Sequence, residues 1–305
     1  MSRPRIGLVG VGIMGEALLR RLVRKDWRVT AWDRDLPRMR LARSIGAAGA
    51  GTPQEVISAT DIVLLCVLDT EAVRNCVFGP EGLAANAQNA GKLLIDLSTI
   101  DPGATREIAA RAKETAGLRW VDSPVSGGPA AAAEGSLTIM AGGAPDDFDA
   151  AKSVLQDLAA QLTHMGPCGS GQTAKVINQA IVGAGYALMT EAVLLAEAAG
   201  IDAARLPQCL AGGLADSVLL QKLYPRIAQR SFEPPTGYAR QLQKDLKAVV
   251  AFAHGHGRAL PLVDCAQRLY SDYVAAGYAM ADSASLIQLY ETGDTASREQ
   301  ANDPA

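Results

Sequence analysis

The segment from Ile6 to Asp33 constrains the fold of this chain more than any other. Its glycines follow the pattern Gly10-x-Gly12-x-x-Gly15, between a short apolar run and an amphipathic stretch. In a strand–turn–helix unit the first glycine allows a tight turn, the second lets a phosphate approach the backbone, and the third lets helix and strand pack closely. A second predicted strand ends at Asp33, about 20 residues on, where an acidic residue accepts hydrogen bonds from a ribose. The segment therefore predicts a binding site for a nicotinamide dinucleotide.

The acidic residue at the end of the second predicted strand bears on the choice between two cofactors. A carboxylate at Asp33 favours NAD, because it would repel the 2′-phosphate of NADP. Arg34 and Arg38 follow it, and a guanidinium group binds phosphate well. We therefore expect NAD, with NADP as the alternative that the arginines leave open. The residues predicted to bind the cofactor in this segment are Gly10, Gly12, Ile13, Met14, Gly15, Asp33 and Arg34.

Hydrophobic periodicity changes once along the chain. Before residue 165, short apolar runs alternate with amphipathic stretches, which is typical of a parallel sheet with helices on both faces. The predicted strands are 5–9, 28–32, 61–67, 92–96, 120–122 and 136–141. Beyond the Gly- and Pro-rich turn at 165–171, only helical periodicity continues. We therefore expect an α/β Rossmann domain with a doubly wound parallel sheet in residues 1–165, an all-α domain in 166–292 and a flexible tail in 293–305.

One predicted helix is unusually apolar. Residues 176–204 contain no Lys or Arg, although Asn178, Gln179, Glu191 and Glu197 interrupt the stretch. These polar groups disfavour a membrane span, so we expect a long buried helix and no membrane partner. A helix that is apolar on nearly all sides must be covered on all sides. We therefore expect a second copy of the chain to cover part of it, in a homodimer or homotetramer.

Composition disfavours several other classes of protein. The net charge is −3, so the chain lacks the basic surface expected of a protein that binds nucleic acid or anionic lipid. Its five cysteines are scattered without a Cys-x-x-Cys pair, which indicates a reducing compartment, and we expect a cytoplasmic location. His254 and His256 have no third ligand close by in the sequence, so no metal site is predicted.

Four further motifs follow the glycine turn in order. They are Asp-Leu-Ser-Thr-Ile-Asp-Pro at 96–102, Asp-Ser-Pro-Val-Ser-Gly-Gly at 122–128, Gly-Ser-Gly-Gln-Thr-Ala-Lys-Val-Ile-Asn at 169–178 and Lys-Asp-Leu at 244–246. With the glycine turn, this order resembles the β-hydroxyacid dehydrogenases, a family that includes 3-hydroxyisobutyrate dehydrogenase and tartronate semialdehyde reductase. The resemblance extends over nearly the whole chain, from about residue 6 to residue 290.

The resemblance implies roles in binding the substrate and in proton transfer. Ser126, Gly127 and Gly128 match the segment that binds the substrate carboxylate, and exposed backbone N–H groups with a serine hydroxyl do suit an anion. Lys175 matches the catalytic lysine, and Asn178 lies one helical turn on, where it would orient the lysine or bind a substrate hydroxyl. Lys175 begins a long apolar helix, so we expect its side chain to be half-buried. Burial favours the neutral form of a lysine, so that it can exchange a proton near neutrality.

Further positions are implied to lie beside the substrate or the cofactor. Gln179 stands where many relatives have asparagine and is expected in the substrate pocket. Tyr238 stands where relatives often carry phenylalanine, and it is expected on the substrate side near the nicotinamide. Thr99 and Lys244 match residues that lie near the cofactor, with Asp245 as the partner that orients Lys244.

The expected function is hydride transfer between NAD(P) and a small β-hydroxy acid such as 3-hydroxyisobutyrate, with Lys175 as general acid and base. Two alternatives stay open. An imine reductase has the same fold, but those enzymes generally lack a lysine at this position. A non-catalytic NAD-binding sensor belongs to a different class, and it has no need of a proton donor such as Lys175.

Overall fold

The computed structural model describes residues 3–292, so the tail predicted at 293–305 lies outside the described residues. Contacts between residues divide the chain into two compact units, with the division after Lys175. The first unit contains the sheet and its helices, and the second unit is helical. The predicted fold class, a Rossmann sheet followed by an all-α region, is confirmed.

One nine-stranded sheet forms the centre of the first unit. Its strands are β1 Ile6–Val9, β2 Val29–Trp32, β3 Ala48–Gly49, β4 Ile62–Leu65, β5 Leu93–Asp96, β6 Arg119–Asp122, β7 Val125–Ser126, β8 Leu137–Gly143 and β9 Ala159–Gly166. The spatial order is β3-β2-β1-β4-β5-β6-β8-β7, with β9 also paired to β8. Strands β1 to β6 form a parallel sheet, while β8 runs antiparallel to β6 and β7. The order 3-2-1-4-5-6 of the parallel part is that of dinucleotide-binding sheets.

Helices cover both faces of this sheet. They are α1 Ile13–Arg24, α2 Leu36–Ile45, α3 Pro53–Ala59, α4 Thr70–Phe78, α5 Pro102–Ala116, α6 Gly128–Glu134 and α7 Pro145–Leu158. Strand β4 shows why both faces need cover: Ile62 and Leu64 pack in one hydrophobic cluster, and Val63 and Leu65 pack in another. Alternate residues of a strand point to opposite faces, so a continuous apolar run requires helices on each side.

Six strands match the sequence predictions, and three were missed. The missed strands are β3, β7 and β9. The first two have only two residues each, which is too short to produce an apolar run. Strand β9 pairs parallel to β8, but its residues alternate between partly and fully exposed. Because strands were predicted from buried apolar runs, the predicted sheet ended before β9.

The second unit consists of helices around two apolar clusters. Its α-helices are α8 Ser170–Ala198, which begins in the first unit, α9 Leu206–Leu210, α10 Tyr224–Ala228, α11 Ala239–Gly255 and α12 Pro261–Tyr273. Shorter helical segments lie at Ala203–Arg205, Leu219–Leu223, Val274–Tyr278 and Ser283–Leu286. Asp282 connects several of them, because its carboxylate accepts hydrogen bonds from Arg226 and from the backbone N–H groups of Thr236 and Ala284.

Helix α8, which includes most of residues 176–204, is not buried all round in the single chain. Ile177, Ile181, Leu188 and Leu195 are each more than half exposed, between 56% and 72%. Their spacing of four or seven residues places them along one face of the helix. Within residues 3–292, α8 is also the one helix with the length and composition of a membrane span. The exposed apolar face, defined by these four residues, therefore lacks cover within one chain.

Candidate active site

The glycine turn after β1 combines two close contacts with one open position. Gly10 has a φ of +96°, and a Cβ there would lie 2.2 Å from the carbonyl oxygen of Cys66. A Cβ on Gly15 would lie 2.1 Å from the carbonyl oxygen of Gly10. A Cβ on Gly12 would meet no atom within 4 Å. Only the outer glycines are therefore required by packing, and the middle one leaves its backbone open, as the approach of a pyrophosphate requires.

Asp33 holds this turn against the end of β2. One oxygen of its carboxylate accepts the backbone N–H of Val11 at 2.7 Å, and the other accepts the N–H of Asp35 at 2.9 Å. Each carboxylate oxygen has a second lone pair, so Asp33 can still accept a ribose hydroxyl. Ile13 is 60% exposed at the start of α1, Met14 is half-buried, and Arg34 is exposed. This part of the chain therefore fits a dinucleotide with an open backbone and an acceptor at the ribose end.

The loop after β5 carries the half-buried Thr99 and is held on both sides of that residue. The side-chain amide of the buried Gln172 donates to the carbonyl oxygen of Ser98 at 2.7 Å and accepts the N–H of Ile100 at 3.2 Å. Gln172 lies in the first turn of α8. The loop that presents Thr99 is thus fixed to the beginning of the helix that carries Lys175.

Asp122, at the end of β6, attaches α8 to the sheet. Its buried carboxylate accepts the backbone N–H of Gly169 at 2.7 Å and that of Gln172 at 2.9 Å. These N–H groups lie at the helix start, where the backbone offers no acceptor of its own. A Cβ on Gly171 would lie 2.8 Å from the Asp122 carboxylate, so only glycine permits this approach. Burial raises the pKa of Asp122, and the N–H donors oppose that shift.

The segment predicted to bind a carboxylate lies between β7 and α6. Gly127 and Gly128 have φ values of +128° and +73°, which other residues adopt only with strain. A Cβ on Gly128 would meet no atom within 4 Å, so the space beside its backbone is open. Ser126 is half-buried. The segment therefore has the exposed backbone that the substrate-binding role requires.

Lys175 is more deeply buried than the sequence indicated. It is 8% exposed, although it was expected to be only half-buried. The two residues that fix the start of α8, Gly169 and Gln172, lie within two helical turns before it. The position of its side chain is thereby coupled to the sheet and to the loop of Thr99.

In the helical unit, five predicted residues take part in contacts that involve side chains. The side-chain amide of Asn178 donates to the Oε1 of Gln179 at 2.9 Å, and the Nε2 of Gln179 donates to the Oδ2 of Asp245 at 2.6 Å. The Nζ of Lys244 lies 3.5 Å from the Oδ1 of Asp245. Tyr238 caps α11, and its backbone N–H donates to the side chain of Gln241 at 3.2 Å.

Sequence reasoning missed the roles of Asp122 and Gln172. Both belong to motifs that were singled out for their neighbours, the glycines at 127–128 and Lys175. No local signal identifies these roles, because Asp122 accepts from residues 47 and 50 positions away and Gln172 contacts residues 72 and 74 positions away. Within residues 3–292, no group of three or more His, Cys, Asp or Glu is arranged to hold a metal ion.

Two family models together match most of the chain. The NAD binding domain of 6-phosphogluconate dehydrogenase matches residues 5–166. The NAD-binding model of NADP-dependent 3-hydroxyisobutyrate dehydrogenase matches residues 169–290. The two matches correspond to the sheet-containing and helical parts described above.

Relatives of known name match over nearly their full length. The 2-hydroxy-3-oxopropionate reductase of Escherichia coli K12 is 34% identical over 287 residues, which cover 94% of this chain and 97% of the relative. A probable 3-hydroxyisobutyrate dehydrogenase-like protein of Arabidopsis thaliana is 32% identical over 277 residues, which cover 90% of this chain and 84% of the relative.

Solved structures give the same result for the fold. The 3-hydroxyisobutyrate dehydrogenase of Mycobacterium tuberculosis, solved with L-serine, has a TM-score of 0.85 at 28% identity, covering 95% of this chain and 99% of the other. An imine reductase from Pseudomonas sp. has a TM-score of 0.62 at 20% identity, covering 94% and 99%. At that identity the second likeness concerns the fold alone.

The sheet order and the open glycine turn define a dinucleotide-binding oxidoreductase. The chain belongs to the β-hydroxyacid dehydrogenase family, as its five motifs indicated. It is an NAD(P)-dependent hydroxyacid dehydrogenase.

Proposed function

We propose that this enzyme oxidises a short β-hydroxy acid such as 3-hydroxyisobutyrate, or reduces the matching semialdehyde, with Lys175 as general acid and base. The observation that supports this most directly is the buried Lys175, on a helix fixed to the sheet by Asp122 and Gln172. A buried amine at a fixed position suits proton transfer better than a solvated one.

The chain's own groups divide the work of the reaction. Backbone N–H groups at Gly127 and Gly128, with the hydroxyl of Ser126, hold the substrate carboxylate. Lys175 accepts the proton of the substrate hydroxyl during oxidation and returns it to the carbonyl oxygen during reduction. Bound NAD(P) accepts or supplies the hydride. Asn178 assists Lys175 or binds the substrate, and Thr99 and Lys244 lie on the cofactor side.

Replacing Lys175 tests the proton-transfer role. Lys175→Ala is expected to lower kcat by about a hundredfold or more, with NADH affinity retained, because only the proton transfer is removed. Lys175→Arg keeps the positive charge but cannot release a proton, so it should also be slow. Stopped-flow kinetics and NADH fluorescence titration measure both quantities. Turnover near the wild-type rate in both variants would contradict the assignment.

A substrate panel separates the proposal from its alternatives. We expect NAD(P)-linked oxidation of at least one acid among 3-hydroxyisobutyrate, D-glycerate, L-threonate, L-serine and 4-hydroxybutyrate. An imine reductase would instead reduce a cyclic pyrroline with NADPH, and a sensor would bind the cofactor without turnover. The buried Lys175 favours the first outcome over the other two.

We propose NAD as the preferred cofactor, because the carboxylate of Asp33 lies at the glycine turn. Asp33→Ala should narrow the preference for NAD over NADP, since it removes the negative charge that repels the 2′-phosphate while Arg34 remains. Dissociation constants for NADH and NADPH, measured in both proteins, test this. A wild type that binds NADPH more tightly would reverse the preference.

We also propose that a second copy of the chain covers the exposed apolar face of α8, formed by Ile177, Ile181, Leu188 and Leu195. Isolated apolar side chains on a surface are common, but a row along one helix face favours association. Sedimentation should show a homodimer or homotetramer for the wild type. Ile181→Glu should shift the protein towards monomer, and an unchanged mass would contradict the role of this face.

A further inference from the structure

A chain of hydrogen bonds connects Asn178 to Asp245 through one intervening side chain. Asn178 donates to Gln179 at 2.9 Å, and Gln179 donates to Asp245 at 2.6 Å. The first two residues lie on α8 and the third lies on α11. Lys244 lies 3.5 Å from the other carboxylate oxygen of Asp245. We refer to Asn178, Gln179 and Asp245 as the amide relay.

The chemistry of the three groups gives the relay a single direction. An ionised carboxylate only accepts hydrogen bonds, so the amide of Gln179 must present its N–H to Asp245. Its carbonyl oxygen then faces Asn178, which must in turn present an N–H to that oxygen. The charge on Asp245 therefore decides the amide orientation of Asn178, two hydrogen bonds away.

Partial burial of the amide relay stabilises its hydrogen bonds. The side chain of Asp245 is 17% exposed, and Gln179 and Asn178 are half-buried. Partial burial strengthens a hydrogen bond to a charged group, because water competes less for it. Charged groups near Gln179 include its partner Asp245, Lys244 beside Asp245, and Lys175, which lies four residues earlier on α8.

We propose that Gln179 and Asp245 are positioning residues that hold the side-chain amide of Asn178 in one orientation for the reaction. The inference rests on the proposed function, in which Asn178 acts beside Lys175. It differs from the role in the substrate pocket that the resemblance implied for Gln179. Each polar atom of the Gln179 side chain has a partner, so these two contacts fix its amide orientation, and we place its effect on the reaction in Asn178.

The length of the side chain matters for this role. One methylene fewer withdraws the amide by about 1.3 Å, which extends a 2.6 Å contact beyond hydrogen-bonding distance. Asparagine at position 179 would therefore fail to reach Asp245 from the same backbone. The length of glutamine therefore allows this hydrogen bond between α8 and α11.

Three variants test the relay by steady-state kinetics. Gln179→Met removes both hydrogen bonds at similar volume and should lower kcat by about tenfold or more, with little change in KM. Gln267→Met is the matched control, because the same substitution on α12 removes a 2.8 Å hydrogen bond to Ser271. The control should keep the wild-type kcat. A Gln179→Met variant with the wild-type kcat, or with a change confined to KM, would overturn the proposal.

Gln179→Glu supplies a readout that a purely structural role would not produce. Its carboxyl still accepts from Asn178, and when it and Asp245 share a proton the contact between them is kept. When both groups ionise they repel each other, and the orientation of Asn178 is lost. We therefore expect kcat close to wild type near pH 5 and a fall of about tenfold or more towards pH 9, relative to the wild-type profile. A ratio of variant to wild-type kcat that stays constant with pH would overturn the relay.

A fourth measurement does not depend on turnover. The free energies of unfolding of Asn178→Ala, Gln179→Met and the double variant form a cycle, which should show coupling because the side chains are in contact. Additive effects would overturn the relay even if the kinetics agree. Conversely, a wild type that oxidises no hydroxy acid and reduces no semialdehyde contradicts the proposed function, while the cycle still decides whether the relay exists.

Discussion

The two units of this enzyme bring different chemical groups to function. In the sheet-containing unit, the predicted binding groups are mostly backbone N–H groups, exposed by glycines that leave open space at Gly12 and Gly128. In the helical unit, the predicted groups are side chains, and Asn178, Gln179 and Asp245 form a chain of contacts. The first arrangement suits binding of the cofactor, because the geometry of the backbone is independent of most side chains. The second arrangement depends on side chains, so a single substitution can alter it.

The difference also appears in how each unit tolerates replacement. At the glycine turn of the sheet-containing unit, the close contacts join backbone to backbone, as between Gly15 and Gly10. The helical unit has a buried side-chain centre at Asp282, which is 2% exposed. Substitutions at the glycine turn should therefore act through backbone conformation, and substitutions at Asp282 through lost hydrogen bonds.

Replacing the two first glycines of the turn should give the largest and sharpest contrast. Gly10→Ala is expected to prevent stable folding, because its Cβ would lie 2.2 Å from the carbonyl oxygen of Cys66 at a φ of +96°. Gly12→Ala should fold normally, since its Cβ meets no protein atom within 4 Å, but should bind NADH more weakly. Circular dichroism and NADH titration measure the two effects. If neither variant bound NADH more weakly than the wild type, or if both variants unfolded, Gly10 could not be assigned to packing and Gly12 to binding.

Asp282→Ala should cause a smaller loss, confined to stability. It leaves Arg226 and the N–H groups of Thr236 and Ala284 without their acceptor, which costs about 3 kcal/mol. Urea unfolding measures this value, and Asp282→Asn should lose less because it retains one acceptor oxygen. NADH affinity should stay within about twofold of wild type. A parallel loss of NADH affinity would show that the two units are not separable in this way.

Asp96 should make a modest, pH-dependent contribution in the sheet-containing unit. Burial raises its pKa from 3.8 to about 7, and its Oδ2 has no hydrogen-bond partner within the described part of the chain. The folded protein therefore holds a proton that the unfolded chain releases above about pH 4, so stability falls as the pH rises towards 7. Asp96→Asn imitates the neutral carboxyl and should gain stability relative to wild type as the pH rises from 5 to about 8. A difference in unfolding free energy that is independent of pH would contradict the raised pKa.

Local patterns predicted those parts of the site that depend on neighbouring residues. The glycine turn and the strand ending at Asp33 have local signals, because turn conformations depend on the residues within them. Lys175 was found through a motif, and its burial was underestimated because the cover comes from the packing around α8. Strand β9 was missed because its polar residues suit the position it takes beside β8.

The sequence by itself determined the class of fold, the family and a nicotinamide dinucleotide as cofactor, since these follow from periodicity and from short motifs. The tertiary structure alone decided how α8 is held, through hydrogen bonds from Asp122 to residues 47 and 50 positions away. It also decided that Gln179 meets Asp245, 66 positions along the chain. Such contacts depend on where two elements pack. The free energy of packing is distributed over many residues, so no local sequence pattern predicts these contacts.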